Sequence, residues 1–126
     1  MNYNIIIILL ITVLVLDSIY LSLIGGPLFN PMIKNIQSSK MKVNFYGASV
    51  VYILMIVVLY YFIINEKKTP NEAFILGFCI YGIFDFTNYA LFNNYELIPS
   101  IVDMVWGGVL FYLTTCITYK YLNLTK

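Results

Sequence analysis

The sequence predicts an all-α fold, a bundle of four transmembrane helices built as one domain over residues 1–126. Apolar residues make up 61% of the chain and charged residues only 10%, whereas a soluble domain is about half apolar and a quarter charged. Four apolar runs are each near the roughly 20 residues that a helix needs to cross a bilayer. The four runs cover approximately residues 3–24, 45–64, 72–92 and 100–122.

The first run is predicted to be a retained helix rather than a cleaved signal peptide, since no Lys or Arg precedes it and no Ala-x-Ala sequence follows it. It carries Asp17 in its second half and Tyr20 almost one turn later. Residues 25–27, Gly-Gly-Pro, are expected to end the helix, because Gly accommodates a turn and Pro cannot continue a helix. For the segment 28–44, a short interfacial helix and an ordinary polar loop both remain open.

The second run contains no charged residue, but Tyr46, Ser49 and Tyr52 fall on one stripe of its helix. Such a row of hydroxyl groups suits packing against neighbouring helices, which is the favoured interpretation, or hydrogen bonds to a polar centre. The charged turn that follows ends at Pro70, a residue well placed to begin the third helix.

The third run carries Asp85 near the middle of its apolar stretch. A carboxylate at that depth is costly unless it is paired, protonated or in contact with water, so an intramembrane acid marks a candidate functional site. At 3.6 residues per turn, one face of this helix combines small, acidic, amide and aromatic side chains. That face consists of Tyr81, Gly82, Asp85, Asn88, Tyr89 and Phe92. The opposite face, which includes Phe74 and Ile83, is expected to contact lipid.

The fourth run places Asp103 in its first turn, with Trp106 and Gly107 one turn later. Asp17 and Asp85 each precede the end of their helices by seven residues, or roughly 10 Å at 1.5 Å per residue. Asp103 enters from the same side and lies roughly 5 Å in. The three acids are therefore expected to approach one level of the membrane from three helices.

Three interpretations of these acids remain open. In the first, each acid only caps or hydrogen-bonds a neighbouring helix; Asp103 suits this interpretation as a helix-start acid favoured by the helix dipole. In the second, the carboxylates bind a proton or a cation. In the third, they act on a lipid or isoprenoid substrate, as acid and base or by holding a divalent metal. The sequence leaves any cofactor unknown.

With these residues in place, the chain resembles the DUF2177 family of bacterial membrane proteins. The shared residues are Leu16-Asp17 with Tyr20-Leu21, Tyr81-Gly82 with Asp85 and Thr87-Asn88, and Asp103 with Trp106-Gly107. The match covers nearly the whole chain in order. The resemblance implies a four-helix membrane domain in which the three acids form one set, and it leaves the function unassigned.

The preferred hypothesis is a proton- or cation-linked transporter or channel with a polar pocket inside the bundle. The residues expected to bind the ion are Asp17, Asp85, Asn88 and Asp103. The residues expected to line the pocket are Tyr20, Tyr81, Tyr89 and Trp106. The alternatives are a membrane enzyme or enzyme subunit acting on lipid or fatty-acyl substrates, and a structural or accessory protein without a site.

Composition also limits the partners. All seven basic residues are Lys and none forms a basic patch, so no nucleic acid is expected to bind. Histidine is absent and both cysteines, Cys79 and Cys116, lie in apolar runs, so no zinc site and no disulfide are predicted. The expected partners are membrane lipids, a proton, cation or lipid ligand, and a second copy of the chain, because Gly107 and Gly108 would let helices from two copies approach closely.

Four spans place both termini on one side of the membrane. That side collects four lysines, Lys67, Lys68, Lys120 and Lys126, and the other side collects three, Lys34, Lys40 and Lys42. Since cytoplasmic loops carry the excess of Lys and Arg, this count favours cytoplasmic termini in a multi-pass protein.

Overall fold

The computed structural model describes residues 2–122, and this part of the chain is helical apart from short connections. Helix α1 spans Tyr3–Tyr20 and continues through a π-helical turn, Leu21–Gly25, into α2, Gly26–Gln37. Helix α3 spans Phe45–Val58 and ends in a second π-helical segment, Leu59–Ile64; α4 spans Pro70–Leu91 and α5 spans Leu97–Tyr121. Four helices are long and apolar enough to cross a membrane, which confirms the predicted fold class. The polar tail predicted over 123–126, with Lys126, lies outside the described residues.

Local sequence accounts for where several helices begin. The Asn2 side chain accepts a hydrogen bond from the Asn4 N–H at 3.0 Å, which caps α1. Asn44 caps α3 in the same way. At the start of α4, Thr69 and Glu72 form a reciprocal capping box, in which each side chain satisfies a backbone N–H that has no partner inside the helix. These three helix starts are therefore determined by residues that lie only a few positions apart in the sequence.

The first helix does not end at residues 25–27, and the sequence-based prediction is wrong there. The chain stays helical from Tyr3 to Gln37. The π-helical turn absorbs the irregularity, and Pro27 occupies the first turn of α2, where a missing N–H costs little. Gly26 is needed at this turn, because a Cβ atom there would lie 2.6 Å from the Leu21 carbonyl oxygen. Of the two options left open for the next segment, the short helix is confirmed as far as Gln37.

Helices α4 and α5 pack most closely, through glycines. A Cβ atom on Gly77 would collide with the Gly107 carbonyl oxygen, and one on Gly108 would lie 2.8 Å from the Phe74 ring. Gly107 and Gly108 therefore pack within the chain, and they are not available for the contact with a second copy that was expected of them. Phe74, expected to face lipid, instead covers Gly108. A homo-oligomer stays a prediction without this support.

A fully buried apolar layer crosses the bundle on the terminal side of Asp17. Its residues, all with no exposed surface, are Leu9, Val13, Leu59, Leu110 and Phe111. They come from α1, from the π-helical segment that follows α3, and from α5, so the layer joins three parts of the bundle into one core. This apolar layer separates the three aspartates from the end of the bundle at which α1 begins.

Thr114 gives a test of packing in this part of the bundle. Its hydroxyl is fully buried and has no hydrogen-bond partner among residues 2–122. Thr114→Val keeps the shape and is expected to raise the free energy of unfolding by about 1 kcal/mol, because an unpaired buried hydroxyl costs about 1–3 kcal/mol. Reversible unfolding in mixed micelles with SDS measures the change. Thr115→Val is the matched control, since that hydroxyl donates to the Phe111 carbonyl at 2.8 Å and its loss brings no gain. A destabilised Thr114→Val variant would contradict the prediction.

Candidate functional site

The three aspartates lie close together inside the bundle. Asp17 of α1 is 7% exposed and Asp85 of α4 is 0% exposed, while Asp103 of α5 is half-buried. Because α5 begins at Leu97, Asp103 lies six residues, or roughly 9 Å, into its helix. It is deeper than predicted and is not a helix-start acid. Helices α1, α4 and α5 thus each bring one carboxyl group to the same region.

Asp85 and Asp103 form a pair. Their carboxyl groups lie within hydrogen-bonding reach of each other, and each also accepts a bond from a phenol. Tyr95 donates to Asp85 Oδ1 at 3.0 Å, and Tyr20 donates to Asp103 Oδ1 at 3.0 Å. Within the described residues, no N–H group or hydroxyl donates to Asp85 Oδ2. A hydrogen bond between two carboxyl groups requires a proton on one of them, so the geometry suits a pair that holds one proton.

Asp17 lies apart from this pair and has two donors of its own. Trp106 Nε1 donates to Asp17 Oδ1 at 2.9 Å, and the Tyr52 hydroxyl donates to Asp17 Oδ2. Bonds to an ionised group are the stronger class of hydrogen bond, because the acceptor carries a full charge. Helices α3 and α5 are therefore both tied to α1 through one carboxylate.

Stacked rings join the two parts of the site. The Tyr20 and Trp106 rings are 4.7 Å apart at their centroids and inclined by 4°. Trp106 bonds to Asp17 and Tyr20 bonds to Asp103, so the stack links the isolated acid to the pair. We call this connected set the acid network. Its members are Tyr52, Asp17, Trp106, Tyr20, Asp103, Asp85 and Tyr95.

Three other predicted site residues lie at the edge of the acid network or outside it. Asn88 lies beside the Tyr95 phenol, at the edge of the acid network. Tyr81 adjoins the network, but its hydroxyl contacts the Met55 sulfur at 3.5 Å rather than an acid. Tyr89 is 44% exposed and packs edge-on against Phe86, so the structure does not bring it to the site.

Two donors of the acid network were not among the predicted site residues. Tyr52 belonged to the hydroxyl stripe of α3, for which bonding to a polar centre was the less favoured interpretation. Ser49, on the same stripe, bonds only to the Phe45 carbonyl of its own helix. Tyr95 lies in the α4–α5 connection, where no helical periodicity marks it, and it is buried all the same.

Helix α2 explains the burial of Tyr95. The Phe29 ring meets the Tyr95 ring edge-on at 6.4 Å, and the Met32 sulfur accepts the Glu96 N–H at 3.0 Å. Burial raises the pKa of the Tyr95 phenol above its usual range, so this residue stays a hydrogen-bond donor at neutral pH. The helix that continues past the first span thus covers the open end of the acid network.

The three aspartates have no basic partner in the part of the chain that the structure describes. The salt bridge found there joins Lys68 to Glu72 at 3.6 Å, on the terminal side, away from the acids. Within residues 2–122, no three His, Cys, Asp or Glu side chains are placed to share a metal ion. The donors that hold the carboxylates are phenols and an indole, which differ from the carboxylate, carbonyl and water oxygens that calcium and magnesium prefer.

Four apolar helices around buried carboxyl groups define a small multi-pass membrane protein. Comparison with known families agrees: the DUF2177 family, described as a predicted membrane protein, matches residues 2–120. The chain belongs to this family, and the resemblance seen in the sequence is confirmed. Neither the curated proteins nor the solved structures yield a match.

Proposed function

We propose that the protein is a proton-linked membrane carrier in which the Asp85–Asp103 pair takes up and releases the proton. The observation that carries this proposal is the hydrogen-bonding reach between two carboxyl groups on neighbouring helices. Among residues 2–122, no basic side chain bonds to either group. Two carboxylates this close do not both ionise in a buried site, because their charges repel. The pair therefore keeps one proton in one state and gives it up when its surroundings change.

A carrier fits the surroundings of the pair better than an open channel does. The buried apolar layer, which includes Leu9, Val13 and Leu110, separates the acids from the terminal side of the bundle. A proton passes this layer only when the helices rearrange. The π-helical turn Leu21–Gly25 directly follows Tyr20, and such turns are frequent at functional sites. A shift in its hydrogen bonding would move the phenol that holds Asp103.

A membrane enzyme acting on a lipid is the second candidate, and one observation favours it. Asp103 lies at the inner end of an apolar cavity between α3 and α4, where the reacting part of a lipid would meet this member of the carboxyl pair. One carboxyl would then serve as acid and the other as base. Lipid analysis of membranes that contain the wild-type protein or Asp85→Asn tests this candidate.

Proton flux into proteoliposomes tests the proposed carrier. The wild-type protein, reconstituted with a pH-sensitive dye inside the vesicles, is expected to acidify the lumen under an inward proton gradient. Asp85→Asn is expected to fall to the rate of protein-free vesicles, because an amide cannot exchange the proton. Thr114→Val is the matched control; it changes a buried polar group away from the acid network and should leave the flux unchanged.

The fluorescence of Trp106, the single tryptophan of the chain, reports whether Asp85→Asn keeps the fold. Flux that persists in a folded Asp85→Asn protein would refute the carrier. Loss of flux in Thr114→Val as well would mean that general packing, and not the carboxyl pair, limits the rate.

A further inference from the structure

An apolar groove opens between α3 and α4. It encloses about 330 Å³, which lies within the range of about 300–1,000 Å³ that small-molecule sites occupy. Val51 and Leu54 of α3 and Phe84 of α4 form its mouth, and all three are exposed on the side of the bundle. A ligand would therefore enter sideways from the lipid phase, not from water at the end of a helix.

The inner end of the groove differs from its mouth. Asp103 supplies the charged side chain there, and Tyr81 also lines the groove. A carboxylate in such an apolar site favours a cation, because the two opposite charges pair. An anionic head group would meet repulsion from the negative charge that the acid network carries.

Charge balance supports the same occupant. The described lysines lie in the connections or at the helix ends: Lys34, Lys40, Lys42, Lys67, Lys68 and Lys120. Asp103 has the Tyr20 hydroxyl and the neighbouring Asp85 carboxyl as its partners, and neither supplies a positive charge. A positive group at the inner end of the groove would compensate the charge of the acid network, which no lysine of residues 2–122 does.

We propose that this groove binds a lipophilic organic cation with a single alkyl chain, whose positive head lies against Asp103. The alkyl chain of the ligand lies along the apolar walls formed by α3 and α4. Its positive head displaces the proton held by the carboxyl pair. This inference rests on the proposed function, since it names the cargo class of that carrier. Alcohols and fatty acids of equal chain length are the competing ligands.

Photolabelling in liposomes tests the groove directly. The full-length protein is labelled with an alkyltrimethylammonium that carries a diazirine on its chain, and the labelled residues are mapped by peptide mass spectrometry. Label is expected at the mouth of the groove, on residues such as Val51, Leu54 and Phe84. Excess dodecyltrimethylammonium should displace it, whereas dodecanol and dodecanoate should not.

Paired variants separate the groove from the rest of the lipid-facing surface. Val51→Phe with Leu54→Phe narrows the groove and is expected to lower labelling roughly tenfold, equivalent to about 1.4 kcal/mol of binding free energy. Val50→Phe with Ile53→Phe is the matched control, one position earlier on α3 and outside the groove. All four side chains are between 52% and 60% exposed, so neither pair alters the core, and the control should label as the wild type does.

The outcomes distinguish this inference from the proposed function. Label spread evenly over all lipid-facing helices, or displaced equally well by dodecanoate, would overturn the cation site, even if Asp85→Asn abolishes proton flux. Label confined to the groove and displaced only by the cation supports the site, and it does so even if no proton flux is measured.

Discussion

Gly77→Ala is expected to lower the free energy of unfolding by about 3 kcal/mol, since overpacking a tight interface costs about 1–3 kcal/mol and occasionally more. The added methyl group would collide with the Gly107 carbonyl oxygen and lie 2.7 Å from Cγ of Phe111. The first of these atoms belongs to the backbone of α5, so a side-chain rotation cannot relieve the contact. Because Asp85 and Asp103 lie on these same two helices, separating α4 from α5 would also break the carboxyl pair.

Two other glycines give a graded control series. At Gly82 the new methyl group would lie 2.8 Å from the Met104 sulfur, and a flexible side chain can move aside, so Gly82→Ala is expected to cost about 1 kcal/mol. At Gly47 nothing lies within 4 Å, so Gly47→Ala should be neutral or slightly stabilising. Unfolding in mixed micelles with SDS measures all three variants. Equal effects at the three positions would contradict the close α4–α5 contact.

The double variant Tyr52→Phe with Trp106→Phe is expected to cost about 3 kcal/mol, because a charged group that loses a hydrogen bond costs about 1.5–3 kcal/mol for each bond. Both donors to Asp17 are then absent, and the carboxylate remains buried with no partner bonded to it. Each single change is expected to cost about half as much. Melting temperature in detergent, followed by circular dichroism, is the measurement, since the tryptophan signal is lost.

A thermodynamic cycle separates this effect from lost packing. In an Asp17→Leu background the Tyr52 hydroxyl has no acceptor, so Tyr52→Phe should be neutral or stabilising there. Tyr61→Phe is the control, since Tyr61 is exposed. If Tyr52→Phe lowers the free energy of unfolding equally with and without Asp17, the lost hydrogen bond to Asp17 is not the cause.

The fold class and the level of the acids were predictable because they depend on distances along the chain. A bilayer of fixed thickness demands apolar runs of matching length, and a charge inside such a run is conspicuous without any tertiary information. Asp17, Asp85 and Asp103 were found in this way. The helical rise then set their relative depth. Two of the reference points were wrong, since the first helix continues to Gln37 and α5 begins three residues earlier than predicted.

Contacts between distant residues were decided by the tertiary structure alone. Tyr95 reaches Asp85 because α2 continues past residues 25–27 and packs over the α4–α5 connection. Neither fact has a local signal, since Gly and Pro commonly end helices and a tyrosine in a short connection resembles any surface residue. Gly107 shows the same limit: a small residue on a helix predicts close packing, but whether the partner is α4 or a second copy depends on how the helices are arranged. Sequence determined which groups the membrane must accommodate, and packing determined which of them meet, because helix periodicity places a side chain on a face without specifying what lies opposite.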